Sequence, residues 1–225
     1  MRAMTRPSRR AALWALAAGA VAADWVAVAA RHRRAEVVAK PGAMLALGSA
    51  ALASGLHERP WGRSVLGGLG LGLVGDVALL RGEQRGYFLG GLTSFLLGHL
   101  AYLDATRRMG LHRTAWVLPG GLVLTGCLWS SREVLPALAA EGGLPAAAPV
   151  AAYMAVIGAT SLAAWSTQDV VLGTGSSLFV LSDTVLARDA FVAPVPAAGV
   201  RVMVPYLLAQ TLVVVGALRH ARGQR

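Results

Sequence analysis

Eight apolar runs, separated by short segments that carry nearly all the charge, restrict this chain more than any other feature. A helix needs about 20 apolar residues to cross the hydrocarbon of a bilayer. On that measure the runs fall at 11–30, 37–56, 64–80, 86–104, 114–131, 148–165, 170–187 and 200–217. Charged residues make up 14% of the chain and hydrophobic ones 56%, whereas a water-soluble domain carries about 25% charged. These runs predict an all-α fold, a polytopic transmembrane bundle of about eight helices. The chain has room for one integral membrane domain over 1–225 and none for a separate soluble one. Arg9-Arg10 before Ala11–Ala23 has the look of a secretory signal. The further spans make it more simply the first membrane helix. The longest connector expected is Arg132–Ala147, with Pro136, Gly142, Gly143 and Pro145 as its breakers. An irregular stretch of that length must lie outside the hydrocarbon or against protein.

The net charge of +10 sits in flanking patches: Arg31-His32-Arg33-Arg34, Arg107-Arg108 and the tail Arg219–Arg225. Such patches meet anionic head groups and set orientation. Without zinc-finger spacing, a recognition helix or an aromatic RNA motif, they give no reason to expect nucleic-acid binding. Lys and Arg number 12 on the side of the termini and 9 on the other, which places both termini in the cytoplasm of a multi-pass cell-membrane protein. Cys127 is the only cysteine, so no intrachain disulfide forms, and its apolar surroundings suit a small buried side chain. Protein partners are not legible in the sequence.

Ionisable residues inside the spans are costly and mark function by default. Asp76, in LGLVGDVALL, and Asp183, in SLFVLSDTVLA, each fall about four residues from an expected helix end. Four spans separate the two helices, so both carboxylates approach the same membrane face, roughly 6 Å below it at 1.5 Å per residue. Asp24 and Lys40 approach that face as well. The two aspartates are 107 residues apart in a shared [GS]-D-x-x-L pattern, compatible with two parallel four-helix repeats. Gly68, Gly72 and Gly75 make one face of the third span small, for close packing or for substrate. Phe88, Gly91, Phe95, His99 and Tyr102 share a face of the fourth span. His99 is there either a base or an interhelical hydrogen-bonding group. Tyr206 and Gln210 lie one turn apart in the eighth span, and Tyr153 enters early in the sixth.

Together these residues outline a pocket with two carboxylates and a lysine at its mouth and aromatic and apolar groups below. That gradient suits a single-chain lipid better than a proton path, which needs polar residues continuing to the far face. Lys40 is either a phosphate ligand or an orienting flank charge. No G-x-S-x-G elbow is present, and metal-free acid chemistry is simpler than a metal site built from Asp76, Asp183 and His99. No cofactor is expected.

The stretches AKPG at Lys40-Pro41, GDVALL from Gly75, FLGGLTSFLLGHLAY from Phe88 to Tyr102, Tyr153-Met154, GSSLFVLSDTVLA from Gly175 and PYLLAQTLV from Pro205 occur in an order that resembles the lysoplasmalogenase family, also called the YhhN or TMEM86-like family. The likeness runs from the second span to the eighth; region 107–147 departs most from it. It implies an eight-helix membrane hydrolase that cleaves the vinyl ether bond of lysoplasmalogens, giving a fatty aldehyde and a glycerophospho-ethanolamine or -choline. It also implies family positions at Lys40, Asp76, His99, Tyr102, Asp183, Tyr206 and Gln210. Partners are then a lysophospholipid substrate and membrane lipids. In the expected chemistry, one of Asp76 and Asp183 donates a proton to the alkene and the other orients water, as paired carboxylates do in glycoside hydrolysis. Lys40, His99, Tyr102, Tyr153, Tyr206 and Gln210 contact the substrate. A transporter or proton-coupled carrier, or a lipid-binding protein without chemistry, is the alternative built on the same buried acids.

Overall fold

The structure, a computed structural model, describes residues 8–81, 84–112 and 117–223. Every long element among them is a helix: α1 Arg9–Ala29, α2 Arg33–Ala53, a 3₁₀ turn Leu56–Glu58, α3 Gly62–Leu79, α4 Arg85–Met109, α5 Val117–Ser166, α6 Val170–Phe191 and α7 Ala198–Gly223. Arg2, Arg6, Arg113 and Arg225 of the orientation count lie outside the described residues, as do residues 114–116 of the expected fifth span.

Starts and stops follow local chemistry. Ser8 Oγ accepts the Ala11 amide at 3.3 Å, His32 Nδ1 that of Ala35 at 3.2 Å, and Asp169 Oδ1 those of Val171 and Leu172 at 2.9 and 3.1 Å. Each satisfies amides that a helix N-terminus leaves unpaired.

The connector expected over 132–147 is instead helical on both sides of a sharp break. Val134 and Leu138, one turn apart and 0% and 6% exposed, bury a helical stripe there. Glu133 pairs with Arg188 of α6. That packing outweighs Pro136, which lies inside the helix and removes a single backbone bond. The chain turns only at Gly142 and Gly143, the latter at φ 65° and ψ −162°, a conformation in effect reserved for glycine. The 50 residues of α5 are therefore two limbs, and the described residues form eight helical rods.

Among the described residues six helices are long and apolar enough to cross a membrane, α5 counted once. At about 1.5 Å per residue α5 is long enough for two passes. The 25-residue α4 is also long enough, but it is diluted by Thr93, Ser94, His99, Asp104, Arg107 and Arg108. Leu16, Val26, Val38, Val74, Leu118, Leu122 and Leu181 are exposed on the outside, whereas Asp24, Lys40, Asp76, His99 and Gln210 are buried. Apolar groups outside and ionisable groups inside are the arrangement lipid requires.

Sequential helices pack as neighbours, and α7 closes the bundle by touching α1, α2 and α3 as well as α6. Trp25 of α1 donates to the Met203 carbonyl of α7 at 3.3 Å, and Trp61, just before α3, to that of Ala217 at 3.2 Å. The small face of α3 is filled by the bundle's own side chains. A Cβ at Gly68 would lie 2.3 Å from the Tyr102 ring, one at Gly72 2.8 Å from Gln210 Nε2, and one at Gly75 2.8 Å from the Phe95 ring. Of the two roles open to that face, close packing is the one observed.

Candidate active site

Pro41 and Pro205 sit inside α2 and α7. Each lacks the amide that would bond the carbonyl four residues back. Next to them are Lys40 and Tyr206, two of the side chains that turn inward. Helices α2 to α7 enclose a cavity of about 290 Å³. Lys40, Asp76, His99, Tyr153, Asp183 and Tyr206 all line it, so the structure brings six of the eight expected site residues onto one surface.

The other two stand behind that surface. Tyr102 donates to Gln210 Oε1 at 2.5 Å, Gln210 Nε2 donates to Tyr206 Oη at 3.1 Å, and Tyr206 donates to Asp76 Oδ2 at 2.8 Å. All three bonds run in one direction and end on the carboxylate. Tyr102 and Gln210 reach the cavity only through Tyr206, so they support the site instead of lining it. Both are 4% exposed or less, and a buried network of this kind fixes one side-chain arrangement.

Asp183 has a shorter support. Tyr153, from the second limb of α5, donates directly to its Oδ2. Asp183 lies eight residues from the end of α6 and Asp76 three from the end of α3. The helix end assumed in sequence for Asp183 came too early, because α6 continues through Ala190 to Phe191. The two carboxylates nevertheless share the cavity.

His99 is 4% exposed and lines the cavity between these two arms. Its ring stands edge-on to Tyr153 at 5.8 Å, Tyr102 at 6.0 Å and Phe179 at 5.0 Å, and Phe179 meets Tyr206 at 6.0 Å. Its backbone carbonyl accepts Thr160 Oγ1 at 3.2 Å. The ring is thus held on several sides, while its Nδ1 has no hydrogen-bond partner.

Lys40, 8% exposed, pairs with Glu36 at 3.0 Å, one turn earlier on α2. Its charge also reaches Asp76 and Asp24. Asp24 is 0% exposed, and neither of its carboxylate oxygens has a hydrogen-bond partner. The lysine is therefore the shared counter-charge of three acids.

An apolar annex of about 50 Å³ adjoins the cavity and shares part of its lining. Cys127, Val150, Ile157 and Val180 line the annex alone, whereas Leu79, Phe88, Phe95, Tyr153, Asp183 and Leu186 border both spaces. Asp183 thus stands where polar space gives way to apolar space. Cys127 is buried and directs its thiol to the Met154 carbonyl at 3.5 Å, a packing role. Among the described residues no three His, Cys, Asp or Glu side chains are grouped to hold a metal ion.

Glu36, Phe179 and Asp189 also line the cavity and were not legible as site residues. Glu36 had a signal, since it precedes Lys40 by four residues, but 31–36 read as a loop. Asp189 lay beyond the assumed end of its span. Nothing in the sequence distinguishes Phe179 from ordinary core.

Outward apolar faces around an internal cavity lined by carboxylates define a polytopic helical membrane protein with a buried polar site. A model of the YhhN family matches residues 35–217, and the chain belongs to that family. It is 30% identical over 175 residues to Lysoplasmalogenase TMEM86A of Bos taurus, covering 72% of this chain and 68% of the relative. Over 174 residues it is 30% identical to Lysoplasmalogenase TMEM86A of Homo sapiens, with the same coverage. No solved structure matches the chain. Every residue lining the cavity falls inside the family match.

Proposed function

We propose that this protein hydrolyses the vinyl ether bond of lysoplasmalogens at the cell membrane, with both termini cytoplasmic, releasing a fatty aldehyde and a glycerophospho-ethanolamine or -choline. The observation that carries this assignment is the pair of carboxylates, each held by a tyrosine, on one cavity beside an apolar annex. The names of the relatives support the substrate class.

The lipid enters with its head group at Glu36, Lys40 and Asp189 and its chain toward the annex. Lys40 takes the phosphate, moving from Glu36 to do so. The annex has room for the first few carbons of the chain, and the rest continues into the bilayer. The vinyl ether joins head to tail, so it comes to rest beside Asp183, the carboxyl at the junction. Asp183 donates a proton to the β-carbon of the alkene, and an oxocarbenium ion forms at the carbon bonded to oxygen. Asp76 stabilises the cation and takes a proton from the attacking water. The hemiacetal then collapses to aldehyde and glycerol hydroxyl, and the proton gained by Asp76 returns through solvent to Asp183. Positioned acid–base groups of this kind contribute about 10²–10⁴-fold. Tyr206, braced by Gln210 and Tyr102, keeps Asp76 aimed into the cavity.

The test is a lysolipid panel read by mass spectrometry on detergent-solubilised protein. Aldehyde from alkenyl lysolipids, and none from the saturated ether, is the expected result, because protonation needs the double bond. Detergent abolishes any gradient, so a transporter would give no product. Absence of aldehyde from every vinyl ether offered would refute the assignment.

A further inference from the structure

Helices α1 and α7 run antiparallel and are fastened at one end of their seam. Trp25 donates to the Met203 carbonyl at 3.3 Å, and a Cβ at Gly199 would come within 3.1 Å of Val28. Toward the other end the two helices leave a groove. Its inner part, about 220 Å³, is walled by Trp14, Ala18, Val21 and Leu208. Its outer part, about 210 Å³, is walled by Trp14, Val215, Arg10 and Arg219. Trp14 borders both parts, and no residue of the groove lines the active cavity.

The groove is apolar along its length and cationic at one end. Arg10 is the second residue of α1, and Arg219 lies four from the end of α7, so both stand where helices leave the membrane. Both are exposed, and among the described residues neither is ion-paired. No Asp or Glu lines either part. From Arg10 to Trp25 the seam extends about 22 Å at 1.5 Å per residue, more than the roughly 15 Å of hydrocarbon in one leaflet. Guanidinium groups hold phosphate by paired hydrogen bonds. A site with two of them and no acid favours a lipid of net negative charge, because the amine of a zwitterionic one finds no partner there.

We propose that the α1–α7 groove is a binding site for an anionic phospholipid, separate from the active cavity, with the phosphate between Arg10 and Arg219 and an acyl chain laid past Trp14, Ala18 and Val21. A second copy of the chain suits the groove less well. Two copies related by a two-fold axis along the membrane normal would set Arg10 and Arg219 of one against the same residues of the other.

The test is native mass spectrometry of the full-length protein in detergent, titrated with phosphatidylglycerol or phosphatidylcholine. Wild type should retain one phosphatidylglycerol at least about 10-fold more tightly than phosphatidylcholine. Arg10→Gln/Arg219→Gln should abolish that preference, whereas Arg63→Gln/Arg107→Gln, which removes equal charge elsewhere on the side of the termini, should keep it. Ala18→Phe, which fills the groove and leaves its charges intact, should weaken retention of phosphatidylglycerol by about 10-fold. Equal retention of the two lipids by wild type, or equal losses in the two double variants, would overturn the proposal. A dimer that Ala18→Phe splits into monomers would give the groove to a second copy, and would overturn it as well.

Discussion

Gly72 lies on the small face of α3, beside the hydrogen-bond chain to Asp76. A methyl group there would lie 2.8 Å from Gln210 Nε2, 3.2 Å from Tyr206 Oη and 3.3 Å from Met44 Cε. Gln210 is 2% exposed and bonded at both ends of its amide, so it has nowhere to swing. Gly72→Ala must therefore push Gln210 off Tyr206, or push α7 off α3. Overpacking of a filled core costs about 1–3 kcal/mol, and a stranded buried donor costs about 1–3 kcal/mol more. The gain in helix propensity from Gly to Ala offsets at most about 1 kcal/mol. A net loss of about 1–5 kcal/mol follows from these terms.

The effect on turnover follows from geometry. With Gln210 displaced, Tyr206 loses the bond that aims its hydroxyl, and Asp76 loses its fixed orientation. Misplacement by an ångström can cost about 10²-fold. Gly72→Ala should thus lower kcat by about 10- to 100-fold, with a lower melting temperature, although no carboxylate has been touched. The control is Gly70→Ala on the same helix, where an added Cβ has nothing within 4 Å. It should leave turnover unchanged and stability equal or up to about 1 kcal/mol higher. Aldehyde release and thermal unfolding of detergent-purified proteins give both readouts. Wild-type behaviour in Gly72→Ala, or equal damage in Gly70→Ala, would refute the reasoning.

Three further predictions rest on single contacts. Tyr153→Phe removes the hydroxyl that donates to Asp183 and should reduce kcat by about 10- to 100-fold with little change in melting temperature; an unchanged kcat would show that the bond is only structural. Lys40→Met leaves Asp24 and Glu36 without their shared counter-charge and should destabilise the fold by about 2–4 kcal/mol. Adding Asp24→Asn should recover part of that loss in thermal unfolding, and strict additivity of the two changes would contradict the coupling. Val180→Phe fills the annex of about 50 Å³ and should shift preference toward shorter alkenyl chains in a kcat/KM series, whereas an unaltered chain-length profile would remove the annex from the site.

Much of this molecule is legible in the sequence because lipid simplifies the rules. Long apolar runs announce helices, and an aspartate within one announces a partner. Asp76, Asp183, Lys40, His99, Tyr153 and Tyr206, each singled out in the sequence, line one cavity. Depth within a helix was less legible, because it was measured from an assumed helix end, and α6 passes that end by a full turn. The stretch 132–147 misled for a related reason. Pro136 and the glycine pair are loop signals locally, but burial of Val134 and Leu138 holds the chain helical up to Gly142. Tyr102 and Gln210 were expected to contact substrate, yet their position behind Tyr206 depends on helix rotation, which spacing alone does not give. Asp24 was visible as an intramembrane acid. That it shares Lys40 with Glu36 and Asp76 required three helices to be in place.

Turnover of an alkenyl lysolipid by the Asp76→Asn and Asp183→Asn proteins, each beside wild type at matched unfolding temperature, probes the mechanism at its centre. Two cooperating carboxyl groups predict that each amide variant falls at least about 10²-fold in kcat while still folding. Wild-type turnover in either variant would contradict a reaction that needs both.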